Sequence, residues 1–369
     1  MMYLRRARTR WRTRRAIDNR RGSIHNYPMD RYSRQSVFAP IGAAGQARIR
    51  SARILVVGCG AIGTHTSEIL ARAGAGSLVL VDRDVVEWTN LHRQGAFEEA
   101  HARDSTPKAE ALASWLSRVN SDVRIEAHIK DFNASNALDL AAGSSLLLDG
   151  SDNVPARFLL NDLSYSLGVP WIYAGAVGGE ARVQLFGGKR GPCLRCQMPE
   201  LPPPGSLGTC DSQGVVGPAP ALAAAWQSAL ALRFLAEGSS PALEGKLAVL
   251  SPWDLRARIA AVEADPGCPV CASRRFEALD GAHAERATLV CGRGAVQVLP
   301  AAGRREAIDL AAMASRLDPL GPVERRPRLL RVRAHDGFHL TLFEDGRALF
   351  EGVTDTTRAL GLYARWIGQ

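Results

Sequence analysis

No stretch of this 369-residue chain approaches the roughly 18 uncharged apolar residues needed to span a bilayer, so no transmembrane helix is expected. The longest candidate, Ala219 to Leu235, is rich in alanine and contains Gln227 and Arg233; it reads as a buried helix. The N-terminal stretch lacks the apolar run of a secretory signal. The body of the chain also lacks a basic face. Residues 1–28 hold nine arginines and one aspartate, a net +8 of the chain's +9, which leaves about +1 for everything else. Basicity confined to a tail argues against a nucleic-acid partner. The tail reads first as a disordered extension and next as a start assigned ahead of a natural beginning at Met29-Asp30-Arg31-Tyr32. An arm for nucleic acid ranks last. Seven cysteines without a signal peptide point to the cytoplasm, where paired cysteines bind metal more often than they form disulfides. With 46% hydrophobic and 22% charged residues, the chain has the material for one large core or two moderate ones.

What is present begins at residue 53. Arg53-Ile-Leu-Val-Val-Gly58 is an apolar run bounded by glycine, as expected of a buried parallel strand. The turn Gly58-Cys59-Gly60-Ala61-Ile62-Gly63 opens a helix over 61–73, and Ser77 to Val81 is a second buried run. Such a βαβ unit holds phosphates. Gly58 permits the tight turn, Gly60 lets the backbone approach the anion, and Gly63 lets the helix pack closely. The helix N-terminus adds free N–H groups and positive dipole. Asp82, 19 residues after Gly63, ends the second strand, where a carboxylate can accept ribose hydroxyls.

The alternation continues. Ser105-Thr106-Pro107 is expected to cap a helix running to about Val119, with proline in its first turn. Val123–Ile129 and Ser145–Asp149 read as strands, Pro155–Leu167 as a helix, and Trp171–Ala176 as a strand. These elements predict an α/β fold with a Rossmann-like doubly wound sheet that binds ligands at the carboxyl ends of its strands. Asp82, Asp84 and Asp152 all fall just past such ends. Each could alternatively cap a helix or form a turn, and Asp152 suits either a cap or a metal. Downstream, Cys193-x-x-Cys196 and Cys268-x-x-Cys271 are separated by 71 residues. Four thiolates fit a closed, structural Zn²⁺ site, with an iron–sulfur cluster or redox dithiols as alternatives. Cys59 and Cys291 read as packing residues.

From Arg31 to about Cys271, these motifs closely resemble the adenylyltransferases that activate sulfur-carrier proteins of the molybdopterin and thiamine pathways. Those enzymes are relatives of the ubiquitin-activating enzymes. The resemblance rests on Arg31-Tyr32-Ser33-Arg34-Gln35, the glycine turn, Asp82-Arg83-Asp84 and Asn90-Leu91-His92-Arg93-Gln94. It also rests on Pro107-Lys108, Asp149-Gly150-Ser151-Asp152-Asn153 and the two cysteine pairs, in the family's order. It implies a homodimeric, ATP- and Mg²⁺-dependent enzyme that adenylates the C-terminal Gly-Gly carboxylate of a small ubiquitin-like sulfur carrier. A sulfur donor protein would be a further partner. Carried over, Asp82 holds the ribose, and Gly58, Gly60, Ala61, Gly63 and Asp84 line the nucleotide. Asn90, Arg93 and Lys108 contact phosphates, Asp152 binds Mg²⁺, and Arg34 reaches into the partner's site. Cys210, in the Pro/Gly-rich stretch that resembles the family's crossover loop, either takes up the activated carrier or is kept without catalytic use. Two departures stand out: Gly60-Ala61 replaces a double glycine, and Asp104-Ser105-Thr106-Pro107 replaces a Gly-Gln-Pro run.

The implied layout is a tail over 1–28 and an adenylyltransferase domain over 29–278. The latter divides into a nucleotide-binding half (29–150) and a carrier and zinc half (151–278). The stretch 282–369 lies outside the resemblance. Strands are expected over Arg286–Cys291, Ala295–Leu299, Arg328–Arg333, Phe338–Phe343 and Arg347–Gly352, with a hairpin at Glu344-Asp345-Gly346 and helices near 304–316 and 355–367. That pattern predicts a small α+β domain of unstated role. Competing functions are adenylation of another carboxylate or of a tRNA base, nicotinamide-dependent oxidoreduction, and non-catalytic binding on the same fold.

Overall fold

Short apolar runs ending in glycine or aspartate form the middle of an eight-stranded sheet. The computed structural model describes residues 31–189, 191–202, 213–239, 241–281, 287–290, 294–300 and 307–368. Strands β1 (Arg53–Val57), β2 (Ser77–Val81), β3 (Arg124–His128), β4 (Leu146–Asp149) and β5 (Trp171–Val177) run parallel. Strands β6 (Glu180–Phe186), β7 (Lys246–Ser251) and β8 (Arg256–Ala261) extend the sheet antiparallel, giving the order β3-β2-β1-β4-β5-β6-β7-β8. Among the described residues the helices are α1 (Ser33–Val37), α2 (Gly42–Ser51), α3 (Ala61–Arg72), α4 (Glu99–Asp104), α5 (Lys108–Val119) and α6 (Ala137–Ala141). They continue with α7 (Val154–Leu167), α8 (Leu194–Gln197), α9 (Pro218–Glu237), α10 (Leu310–Leu317) and α11 (Thr356–Trp366).

After Arg53, β1 is apolar and buried because both of its faces are covered. Ile54 and Val56 enter the core shared with α3 and α9; Leu55 and Val57 enter the one shared with α7. The winding reverses between β1 and β4, the place where open α/β sheets bind ligands. Helix α9 confirms the buried reading of its alanine-rich run, and Gln227 explains why a polar side chain sits inside it. Its amide Nε2 donates to the carbonyls of Asp149 (2.8 Å) and Ile172 (2.9 Å), and its Oε1 accepts from Thr66 (2.7 Å). One amide therefore ties α9 to α3, β4 and β5. No helix among the described residues is long and apolar enough to cross a membrane.

The last quarter forms a second, antiparallel sheet from β9 (Ala287–Val290), β10 (Ala295–Val298), β11 (Val323–Arg326), β12 (Leu329–Arg333), β13 (His339–Phe343) and β14 (Ala348–Glu351). Its order is β11-β12-β13-β14-β10-β9. Period-two alternation sends Leu330, Val332, Leu340, Leu342 and Phe350 to one face, against α10 and α11. On the other face, Leu329 and Phe343 bury against Val85 of the first sheet's β2–α4 connection. Two arginines strengthen the join. Arg347 is 2% exposed, lies 3.7 Å over the Phe343 ring and donates to the carbonyl of Arg83. Arg328 bridges Glu344 and Glu110 of α5, each at 2.5 Å.

Some expectations need correction. Ser105 does not open α5. It closes α4 in a left-handed conformation (φ 51°), and Pro107 occupies the cap position before Lys108 without a side-chain cap. The cause is a short antiparallel bridge, Val85 to Pro107, which holds this segment extended. The helix expected from 304 starts at Leu310, where Asp309 accepts from the N–H groups of Ala311 and Ala312; residues 301–306 lie outside the described residues. Strand β11, Val-Glu-Arg-Arg, escaped notice because an edge strand need carry no apolar alternation.

Candidate active site and metal centre

The glycine turn and the β4 loop meet backbone to backbone. Gly58 has φ 92°, and a β-carbon there would lie 2.7 Å from Gly150 atoms. A β-carbon on Gly63 would come within 1.9 Å of the Gly58 carbonyl oxygen. The third glycine thus serves the turn itself, a closer constraint than helix–sheet packing. Gly60 is different: only Gln94 at 3.8 Å and Gly150 at 3.9 Å approach its β-position. The backbone is open there, as an approaching anion requires. Ala61 opens α3 without positive φ, so its methyl is accommodated.

Asp82, 9% exposed, accepts from the Cys59 N–H (2.6 Å) and the Asp84 N–H (2.7 Å). Burial raises its pKa, Lys108 opposes that, and Asp84 adds to it. Lys108 is placed by backbone pairing: Val86 N–H donates to Thr106 (2.9 Å) and Lys108 N–H donates to Asp84 (2.9 Å). Its ammonium then sits 3.3 Å from Asp84 Oδ2. Arg83 pairs with Asp131 at 2.7 Å. Asn90 is buried in a 3-10 turn and accepts from the Glu87 N–H (3.0 Å), while Arg93 donates to the Thr89 carbonyl (2.7 Å). Gln94, 4% exposed, has a buried Oε1 without a hydrogen-bond partner among the described residues.

At the end of β4, two aspartates part company. Asp149 is fully buried; it accepts from the Ser151 N–H (2.9 Å) and hydroxyl (2.7 Å) and pairs with Arg157 at 2.9 Å. Arg157 also donates to the Ser151 carbonyl (2.8 Å) and lies 5.0 Å from the Tyr173 ring centroid. Asp152 is exposed and makes no hydrogen bond among the described residues, although Arg83 and Arg157 are near enough to feel its charge. Asn153, not Asp152, caps α7, accepting from Ala156. Arg157 escaped the sequence reading; the signal was Asp149 with an arginine in the first turns of the next helix. Arg34 is exposed on α1 and makes no hydrogen bond or ion pair among the described residues. Cys210 and Cys291 lie outside the described residues. Cys59 is fully buried, and burial followed by the Asp82 charge raises its pKa, in keeping with a packing role.

The four paired cysteines come together. Their sulfurs lie within 4.8 Å of one another, with Cys193–Cys268 and Cys196–Cys271 each at 3.5 Å. A tetrahedral ion with metal–sulfur bonds of about 2.3 Å spaces its ligands by about 3.8 Å, so the set fits one ion. Burial and the neighbouring thiols push Cys193 up to about 12, so four thiolates here call for a cation. Helix α7 anchors both segments: Asn161 accepts from the Leu194 N–H (2.9 Å) and Asp162 from the Ala278 N–H (2.8 Å).

A family model described as the ThiF family matches residues 32–270. The "Sulfur carrier protein ThiS adenylyltransferase" of Bacillus subtilis is 37% identical over 346 residues, 92% of this chain and 99% of that protein. That match leaves too few residues over to exclude the stretch after residue 282. The "SAMP-activating enzyme E1" of Haloferax volcanii is 35% identical over 260 residues, 70% of this chain and 94% of that protein. Among solved structures, E. coli MccB with ATP superposes with a TM-score of 0.56 at 25% identity, covering 66% of this chain and 74% of that one.

Proposed function

The chain belongs to the ThiF family, and from that premise we propose that it adenylates the C-terminal Gly-Gly carboxylate of a small ubiquitin-like sulfur carrier, using Mg·ATP and releasing pyrophosphate. The observation that carries this reading is the meeting, at the β1/β4 reversal, of an open glycine turn with Asp152, an exposed carboxylate lacking a hydrogen bond among the described residues. A nucleotide fits the turn. The orphaned Gln94 oxygen beside it wants a donor such as a ribose hydroxyl. One carboxylate beside substrate phosphates is also how proteins commonly hold Mg²⁺.

The chemistry explains the residue types. A carrier carboxylate attacks the α-phosphorus of ATP, a C–O–P bond forms, and the bond to the β-phosphate oxygen breaks. No general base is needed because the nucleophile is already ionised. Two anions must be brought together and charge spread over the phosphoryl group, so positioning and electrostatic stabilisation carry the rate. Asp82 holds the ribose. Asn90, Arg93 and Lys108 hold phosphate oxygens, Lys108 being kept in line by Asp84. Asp152 holds Mg²⁺, which supplies charge neutralisation when bound. Arg34 acts on the partner's site in a homodimer, where its permanent charge and fork geometry suit phosphate. Asp149 and Arg157 position the loop that presents Asp152. Zn²⁺ is the ion we assign to the four cysteines, in a structural role.

The deciding experiment is exchange of labelled pyrophosphate into ATP, using purified protein and a panel of sulfur carriers with and without the terminal glycine. Exchange that needs the intact Gly-Gly end supports the reading and names the carrier. No exchange with any carrier would favour another carboxylate or a non-catalytic role.

A further inference from the structure

Beside the candidate active site lies an open cleft of about 1340 Å³. Its first wall is the 86–93 segment, including Asn90 and Arg93, with Arg103 of α4. Its second wall is the outer face of the last sheet. That face is divided along its strands. At one end Leu329 and Phe343 bury against Val85. At the other, Arg331 stands beside Thr341 and Arg333 beside His339, and all four line the cleft. Strand period two requires that residues flanking a docked apolar end on the same face point the same way.

The cleft is cationic. Arginines 93, 103, 326, 331 and 333 line it against Glu87, Glu324 and Glu351, and Arg326 is paired with Glu324. Arg103, Arg331 and Arg333 make no ion pair among the described residues. Small-molecule sites commonly span about 300–1000 Å³ and are largely enclosed. This one is larger, open and rimmed by unpaired arginine, the charged residue most favoured at protein interfaces.

We propose that this cleft receives an acidic protein surface, that of the carrier itself. Its extended C-terminal carboxylate then runs along the first wall past Arg93 and Asn90. This rests on the adenylation reading, and it explains why the last sheet is there: its outer face is the second wall of the carrier's approach.

The test uses the full chain and the ThiS carrier of B. subtilis, with one substitution per wall, Arg103→Glu and Arg333→Glu. Both residues are exposed, and thermal melting checks that each variant folds. Each substitution is expected to raise the KM for ThiS roughly tenfold, with the KM for ATP unchanged. The defect should widen at low ionic strength, where unscreened charge reaches further. An unchanged KM for ThiS in both variants, or a rise in the KM for ATP instead, overturns the proposal. If the wild-type chain supports no exchange with ThiS or with any carrier of the panel, the adenylation reading fails separately, and the cleft is judged by calorimetric binding of ThiS without ATP. Weaker binding to both variants then supports it; equal binding, or none to the wild type, overturns it.

Discussion

Asp149 and Asp152 differ by one turn of chain and have opposite fates. The first is sealed inside, with its charge matched by Arg157; the second faces solvent without a hydrogen bond among the described residues. Their substitutions should therefore separate. Asp152→Ala is expected to cut adenylation by roughly a hundredfold or more while denaturant unfolding shifts little, as for other surface changes. Retained turnover would strip Asp152 of its proposed metal role. Asp149→Ala leaves a largely buried guanidinium uncompensated and should cost up to about 3–5 kcal/mol, read from the same unfolding curves. Gly63→Ala forces a methyl onto the Gly58 carbonyl oxygen and should abolish nucleotide binding, measured by calorimetry, even if the chain folds. In the sequence, the glycines and aspartates past strand ends were visible because strand, turn and helix place them by spacing alone. Arg157 was not, since its partner is set by how α7 leaves the loop. Nor was Gln227, whose acceptors on β4 and β5 lie 78 and 55 residues away.

At the level of elements, α7 connects the two centres. Its cap sits beside Asp152, and its middle carries Asn161 and Asp162, which hold the two cysteine segments. We expect one bound metal ion per chain by elemental analysis, and chelation should lower the melting temperature by loosening both segments together. Asp162 predicts a pH effect. Burial holds its pKa at about 6, above the ordinary 3.8. Between those values the folded chain keeps a proton that the unfolded chain has released. Stability should therefore fall as pH rises from about 4 to 6, with the loss complete above that. Asp162→Asn should flatten this part of the profile in denaturant titrations; an unchanged slope would clear Asp162. The five parallel strands were legible because their apolar runs are punctuated, whereas β6, β7 and β8 went unread, and β8 carries no buried face to mark it. The start of α5 was misread because Ser105-Thr106-Pro107 resembles a cap, whereas pairing with Val85 holds it extended.

For the whole molecule, the proposal that two copies share a site makes a specific forecast. Arg34→Ala and Asp152→Ala chains should each be inactive. Mixed and allowed to exchange, they should recover about a quarter of normal turnover, because half of random dimers are mixed and each holds one intact site. No recovery would mean each chain works alone. The last sheet was foreseen as strands and helices, but its attachment was not. Nothing in the spelling of Arg347 tells that it reaches Arg83.

That contact spans 264 residues of chain. It joins the Asp82–Asp84 segment to a side chain made long after it. At a ribosomal pace of about 5–20 residues per second, Arg83 waits roughly 15–50 seconds for its partner. The glycine turn and its first five strands can fold long before then, but the loop beside them is braced only when the final sheet arrives. In a growing chain the Asp82–Asp84 segment is therefore left without its Arg347 brace through the whole making of the first sheet, and gains it only from the second.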